Sequence, residues 1–498
     1  MNSKELYQQY VTAMRKIADI KYSIALLGWD QECYQPKKGA EFRSQQIGTL
    51  SGIAHELFVD EKLGDILSQL KGSSELSDEQ KRNVEETFKD YTREKKYPTS
   101  FVEKMAQVTS QTYQAWLKAR DENKFSVFAP MLNTMVDLKR EEAEILGYEN
   151  HPYDALMDMY EPGVTVKELD VLFKDVRDQL VDFVKEIAAK PQVRTDFLKQ
   201  HFPHQQQWDF GIDMLKQMGY DFEAGRQDVS PHPFTTNFSM QDVRVTTRVN
   251  ENDFSTMLWS CIHEGGHALY EQGLLPEYYG LPLGEAVSLG IHESQSRLWE
   301  NLVGRGFGYW KNNFLQLRKT FPQQLFDVTD KDFYKGINKV QPSLVRVEAD
   351  ELTYHFHIMV RYGIEKGLME KSMEVKDLAN IWNESYKNYF GLDVPSDLKG
   401  VLQDIHWSHG SIGYFPTYSL GSFYSVQIFN QAKKEITNLN EQIERGELLP
   451  LREWLREKIH VHGRRYTARQ LCERITGEPL NFKYFMQYAR EKYEGIYG

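Results

Sequence analysis

The stretch that most constrains this chain is Trp259-Ser-Cys-Ile-His263-Glu264-Gly-Gly-His267-Ala-Leu-Tyr270, a run of helical periodicity containing the pattern His-Glu-x-x-His. On a helix, residues four apart share a face, so His263 and His267 can point two imidazole nitrogens at one metal ion. Glu264 stands next to the first histidine, from where it can reach a metal-bound water and take its proton as the water attacks a carbonyl. Leu258, Ile262, Leu269 and Tyr270 surround the pattern with apolar positions. They predict a buried helix, in which two histidines and a glutamate need partners, and a metal ion is one. Gly265-Gly266 costs about 1 kcal/mol per glycine relative to alanine in a helix interior. Something close by is therefore expected to forbid a side chain there, either a packed helix or the substrate.

A catalytic zinc site takes three protein ligands and keeps one position open. Residues 284–300 read as a second helix, rich in carboxylates, that one turn of loop can bring back antiparallel against the first. Glu285, Glu293 and Glu300 are the candidates for the third ligand.

The 498 residues suffice for one large or two ordinary domains, and 41% hydrophobic with 13% aromatic content is that of a packed globular protein. A net charge of −12 argues against nucleic acid or an anionic membrane as the main partner, since both require a basic face. Cys33, Cys261 and Cys472 are too scattered for a disulfide framework or a thiolate metal site, which suits a reducing compartment. Residues 1–21 are charged and amphipathic, and no run reaches the roughly 20 apolar residues that span a bilayer. The expectation is a cytoplasmic protein.

Along the chain the pattern is almost wholly helical. Leu6, Tyr10, Met14, Ile17, Ile20 and Ile24 mark a first helix, with breaks expected near Gly28-Trp29-Asp30 and at 36–39. Ser77/Gln80, Ser100/Glu103 and Thr165/Glu168 have the spacing of capping boxes. His232-Pro233-Phe234 cannot be mid-helix, and Asp242 to Val249 alternates as a strand with Arg244, Thr246 and Arg248 on its polar face. Such a strand could offer its backbone to an extended peptide. Asn252 or Asp253 would cap the His-Glu helix. Further helices are expected from about 345, over 420–454 and over 466–497, with an aromatic, glycine- and histidine-rich segment at 400–418 that suits a substrate-lining loop.

Taken together, His232-Pro233-Phe234, Asp242-x-Arg244-x-Thr246, His263-Glu264-x-x-His267, His292-Glu293-Ser294-Gln295, Arg346-x-x-Ala349-Asp350 and Gly400-x-x-Gln403-Asp404-x-His406-Trp407 resemble, in order, the motifs of the thermostable, Taq-type zinc metallocarboxypeptidases. The resemblance covers essentially the whole length. It implies a mainly α fold, a large helical metallopeptidase with a deep substrate groove and a small β-sheet near the active site. The chain would be one domain over 1–498, with helices of about 1–228 forming one wall and 229–498 carrying the metal site. It further implies one Zn²⁺ per chain held by His263, His267 and Glu293, with Co²⁺ able to substitute, and Glu264 as general base. Single residues would be released from free peptide C-termini with broad specificity, by a protein that is commonly a homodimer.

A C-terminal carboxylate is best held by a planar guanidinium, and Arg346 and Arg244 are the candidates. The competing structural use is a salt bridge to Glu348 or Asp242. His232, in the first shared motif, is the further substrate-binding candidate. Tyr414, Tyr418 and His406 are expected to stabilise the oxyanion, with His409 a rival whose spacing to Tyr414 is similar to that in related helical metallopeptidases. Asp350, Gln295 and His292 are expected to orient the metal ligands and base. An endo-acting or dipeptide-releasing zinc oligopeptidase would share the same metal site, and a helical binding protein could keep the metal without turnover. Intact Glu264 argues against the last.

Overall fold

The computed structural model describes residues 2–498. They form two compact units, each assembled from three stretches of chain. The first takes residues 2–95, Arg194–Ile337 and Tyr424–Leu480; the second takes Lys96–Val193, Asn338–Phe423 and Asn481–Gly498. Both are helical, and the first also contains a three-stranded sheet. Among the described residues no helix is long and apolar enough to cross a membrane.

In the first unit the chain opens with a helix at Ser3–Cys33, started by a capping box between Asn2 and Glu5. Its stripe of Leu6, Tyr10, Met14 and Ile17 is buried with Leu63, Leu67 and Leu70 of the Glu61–Leu70 helix. Inside this core the Tyr10 hydroxyl donates to the Asn83 carbonyl at 3.1 Å and bonds the Thr87 hydroxyl at 2.7 Å. The helix runs on through Gly28-Trp29-Asp30, where a break was expected. A single glycine costs about 1 kcal/mol, and burial of Trp29 together with the 2.7 Å Asp30–Arg43 ion pair outweighs it. The chain turns only at Pro36.

Capping boxes at Ser77/Gln80 and Thr165/Glu168 open the Asp78–Glu94 and Val166–Ala188 helices. Ser100 does not cap. The Thr99–Asp121 helix starts directly after Pro98, whose extended backbone takes the cap position and whose carbonyl accepts from Phe101 and Val102.

The sheet has strands β1 (Gly225–Val229), β2 (Thr235–Ser239) and β3 (Asp242–Thr247) in the order β1-β3-β2. β3, the strand legible in sequence, runs parallel to β1 and antiparallel to β2. Being paired along both edges, it cannot accept an added peptide strand. Its Thr246 is also buried, because the hydroxyl bonds Ser230 Oγ at 2.6 Å and accepts from the Phe234 N–H at 2.9 Å.

The His-Glu helix spans Phe254–Gly273 and is capped by Asp253, which accepts from the Ser255 N–H at 3.0 Å. The carboxylate-rich helix is shorter than expected. It begins at Ser288, whose hydroxyl accepts from Ile291, covers Leu289–Arg297 and continues as a π-helical turn at Leu298–Gly304.

In the second unit the helix expected from 345 starts at Tyr354. Upstream, the Asp350 carboxylate gathers the Leu352 and Thr353 N–H groups and the Thr353 hydroxyl. Residues 420–454, which from Tyr424 on belong to the first unit, form not one helix but parts of three, Pro416–Glu435, Leu439–Glu444 and Leu449–Lys458. Residues 466–497 are divided after Thr476 by Gly477, at φ 83°, and Pro479.

Candidate metal centre

Packing explains the paired glycines before any chemistry is invoked. A Cβ on Gly266 would lie 2.7 Å from the Ser296 Cα and 2.8 Å from the Gln295 carbonyl, so the His-Glu helix meets the backbone of Leu289–Arg297 at that point. A Cβ on Gly265 would lie 2.7 Å from Leu215 on the other side. Packed helices on both sides, rather than a substrate, forbid the side chains.

That close approach brings Glu293 to the two histidines. Its Oε2 lies 3.7 Å from His263 Nε2 and 3.4 Å from His267 Nε2, and the three donors lie within 4.8 Å of one another. Ligands placed tetrahedrally at about 2.0–2.2 Å from one ion are themselves about 3.3–3.6 Å apart, so the set fits a single divalent metal. Glu300 and Glu285 lie outside this set. Glu300, in the π-helical turn, accepts from His263 Nδ1 at 2.9 Å. Glu285 has a half-exposed side chain paired with Arg464 at 3.1 Å.

Each donor is held from behind. Arg297 Nε grips Glu293 Oε1 at 2.6 Å, and Arg297 and Arg305 hold Glu300 at 3.2 and 3.1 Å. His267 Nδ1 lies 2.5 Å from His292 Nδ1. His292 Nε2 in turn lies 2.8 Å from Glu271 Oε1, and the Asn237 amide donates to Glu271 Oε2 at 2.6 Å. Glu264 is buried, and the Thr235 hydroxyl sits 2.8 Å from its Oε2 and 2.9 Å from its carbonyl oxygen. Gln295 accepts from or donates to no metal donor; it bonds the buried His460 Nε2 at 3.0 Å.

The other sequence candidates have these surroundings. In the first unit, Arg244 makes a two-point salt bridge to Asp242, both contacts 2.9 Å, and is sandwiched between the rings of Trp29 and Phe238. His232 is exposed, its carbonyl accepting from the Ser230 hydroxyl. In the second unit, Arg346 is buried and pairs with Asp404 rather than Glu348, its Nε 3.0 Å from Oδ1 and its Nη1 donating to Tyr354 at 3.1 Å. Asp404 Oδ2 also takes Arg361 Nε at 2.6 Å, and Gln403 Oε1 accepts from the Arg346 backbone and from Arg361. His406, Tyr414 and Tyr418 form one aromatic cluster, with His406 Nε2 3.3 Å from the Tyr418 hydroxyl. His409 is exposed and lies against Tyr113 instead.

The chain was next compared with known proteins. The model of the carboxypeptidase Taq (M32) metallopeptidase family matches residues 9–493. The chain belongs to that family. Thermostable carboxypeptidase 1 of Thermus thermophilus is 39% identical over 513 residues, covering 100% of both chains. Among solved structures, that of CHT is 56% identical at a TM-score of 0.97, covering 98% of this chain and 99% of the other. The M32 carboxypeptidase of Deinococcus radiodurans R1 is 39% identical, also at 0.97, covering 99% and 100%. The chain is thus a metallocarboxypeptidase, and its family is one of metal-dependent enzymes.

The electrostatics of this metallocarboxypeptidase centre follow from burial set against fixed charge. Burial works to raise the Glu293 carboxyl, but Arg297 first, then His263 and His267, outweigh it and hold the group well below its ordinary range. Burial, with His292 beside it, pushes His267 down to about 3, so its imidazole is neutral. Glu264 is raised by burial, against the opposing effects of His263 and the Thr235 bond.

Sequence reasoning missed Arg297, Glu271, Thr235 and Asn237. The first two carried a signal, since Arg297 is four residues from Glu293 and Glu271 four from His267 on continuous helices. Thr235 and Asn237 alternate on one face of β2, which shows only once the strand is known.

Proposed function

We propose that the chain is a zinc-dependent carboxypeptidase releasing single residues from peptide C-termini with broad specificity, with His263, His267 and Glu293 as metal ligands and Glu264 as general base. The observation that carries this reading is the set of three convergent donors with a buried, hydroxyl-anchored carboxylate on the same helix. A bound Zn²⁺ supplies Lewis acidity, polarising the scissile carbonyl and lowering the pKa of water. Glu264 takes the proton from the attacking water at a carboxylate oxygen and returns it to the nitrogen of the departing residue. Its raised pKa makes it a stronger base than an exposed glutamate, and Thr235 fixes its direction.

Arg346 is the proposed receptor of the substrate's terminal carboxylate. Arg244, whose Nε and Nη2 are paired with Asp242, is the other candidate. Asp404 and Tyr354 fix the Arg346 guanidinium in one orientation, which lowers the ordering cost of binding. His406, Tyr414 and Tyr418 are proposed to donate to the developing oxyanion, and His232 to contact substrate. A homodimeric, cytoplasmic protein completes the reading, supported by the family resemblance, by the three free cysteines and by the absence of a long apolar helix among the described residues.

Metal identity is tested by stripping the protein with a chelator and titrating ions back while following peptide hydrolysis. Activity is expected to vanish and to return at one equivalent of Zn²⁺ per chain, with Co²⁺ able to replace it. Full activity in the stripped protein, or recovery with Mg²⁺ alone, would overturn the zinc assignment.

A further inference from the structure

The segment that carries His406, Tyr414 and Tyr418 is pinned at two points to the Tyr354–Met369 helix. Arg361 holds its beginning, through Asp404 Oδ2 and Gln403 Oε1. One helical turn further on, on the same face, Glu365 holds the rest. Glu365 is fully buried. Its Oε1 accepts from the Trp407 indole N–H at 2.8 Å; its Oε2 accepts from the Gly413 backbone N–H at 3.0 Å and from the Tyr153 hydroxyl at 2.6 Å.

An indole N–H and a backbone N–H only donate. They fall on different oxygens of Glu365, so the side chain there must offer two acceptors, and a carboxylate does. The loop between them is held closed, because the Ser411 N–H donates to the His406 carbonyl at 2.9 Å. Its far end is also pressed against a neighbour. A Cβ on Gly413, at φ 100°, would lie 3.0 Å from the Met157 nitrogen of the Pro152–Met157 helix. His406 immediately precedes Trp407, and Tyr414 immediately follows Gly413, so each stands one peptide from a group that Glu365 grips. We propose that Glu365 is a positioning residue for peptide hydrolysis, which clamps the loop from Trp407 to Gly413 and so sets where His406 and Tyr414 stand. The inference rests on the proposed role of those two residues as oxyanion donors.

The test is steady-state hydrolysis of a peptide with a free C-terminus, with kcat expressed per folded, zinc-loaded molecule and the unfolding midpoint measured alongside. Glu365→Gln keeps the shape but turns an amide NH₂ onto either the Trp407 or the Gly413 N–H. Misplacing a reacting group by about 1 Å can cost on the order of 100-fold in rate. A fall in kcat of roughly 10–100-fold is therefore expected, with KM little changed, as for an interaction made only in the transition state. Adding Trp407→Phe removes one of the opposed donors and should recover part of the loss. Tyr153→Phe removes the one bond that does not reach the loop, and should lower the midpoint while leaving kcat unchanged. Wild-type kcat in Glu365→Gln, no recovery in the double variant, or an equal loss in Tyr153→Phe would overturn the proposal. If Glu365→Gln does not fold, Trp407→Phe alone decides: a smaller fall in kcat at unchanged KM is expected, and wild-type kcat would overturn the clamp. His406→Ala and Tyr414→Phe separate the proposal from the reading beneath it. If both turn over as wild type, the donor reading fails and takes this proposal with it; if they are impaired while Glu365→Gln is not, only the proposal fails.

Discussion

Glu264→Gln is expected to lower kcat for peptide hydrolysis by roughly 10²–10⁴-fold, the usual contribution of a positioned general base, with little change in KM. The substitution removes the one buried carboxylate beside the metal donors that is raised rather than lowered by its surroundings. Glutamine keeps the shape, and its amide oxygen can still accept from Thr235, now 2.8 Å from Glu264 Oε2. It takes no proton from water. Because the site penalises the ionised form through burial, the neutral variant should unfold at a temperature no lower than wild type. Metal content, measured by atomic emission, should stay at one ion per chain. A variant that keeps its turnover would remove Glu264 from the chemistry, and one that loses its metal would make the kinetic effect indirect.

Asp404→Ala carries the second large expectation, in stability. Asp404 holds Arg346 through Oδ1 and Arg361 through Oδ2, and Arg361 is fully buried. Burial works to raise this carboxyl, yet Arg361 first, then Arg346 and His406, pull it far below its ordinary range. Removing it leaves two buried guanidinium groups without their shared counter-charge, a change that costs about 3–5 kcal/mol. The loss should appear as a lower midpoint in urea unfolding at neutral pH. Its pH dependence has a definite sign. A carboxyl with a depressed folded pKa contributes stability in full above its unfolded value, about 3.9, and loses it as the pH falls through the folded value. Wild type and Asp404→Ala should therefore differ fully at neutral pH and converge only on strong acidification. A constant difference down to low pH would show that the effect is not electrostatic.

What could be read in the sequence was local or periodic. The His-Glu helix, its aspartate cap, the Ser77 and Thr165 capping boxes and β3 all depend on residues within a few positions of each other, where backbone geometry fixes who meets whom. The Gly265-Gly266 pair announced a close neighbour without naming it, and Ser296 and Leu215 are the neighbours. β1 and β2 were missed because Gly225-Arg-Gln-Asp-Val and Thr235-Thr-Asn-Phe-Ser show little alternation of apolar and polar residues; what makes them strands is pairing to β3. Gly28 was read as a break because propensity is a weak prior that tertiary burial, here of Trp29, overrides. Pairings such as Arg361–Asp404, or Asn237 with Glu271, join residues tens of positions apart. Only the fold brings them together. The proposed third metal ligand lies between these cases: the residue types alone left three glutamates on one segment open, the resemblance pointed to Glu293, and the helix contact at Gly266 is what brings Glu293 against the two histidines.

The central claim, removal of single residues from a free C-terminus, is tested most directly by mass spectrometry of one peptide in two forms, carboxylate and amide, digested by the zinc-loaded protein. The account predicts a ladder losing one C-terminal residue at a time from the free form, with the amidated form left intact. Internal cuts, release of dipeptides, or equal consumption of the amide would contradict it.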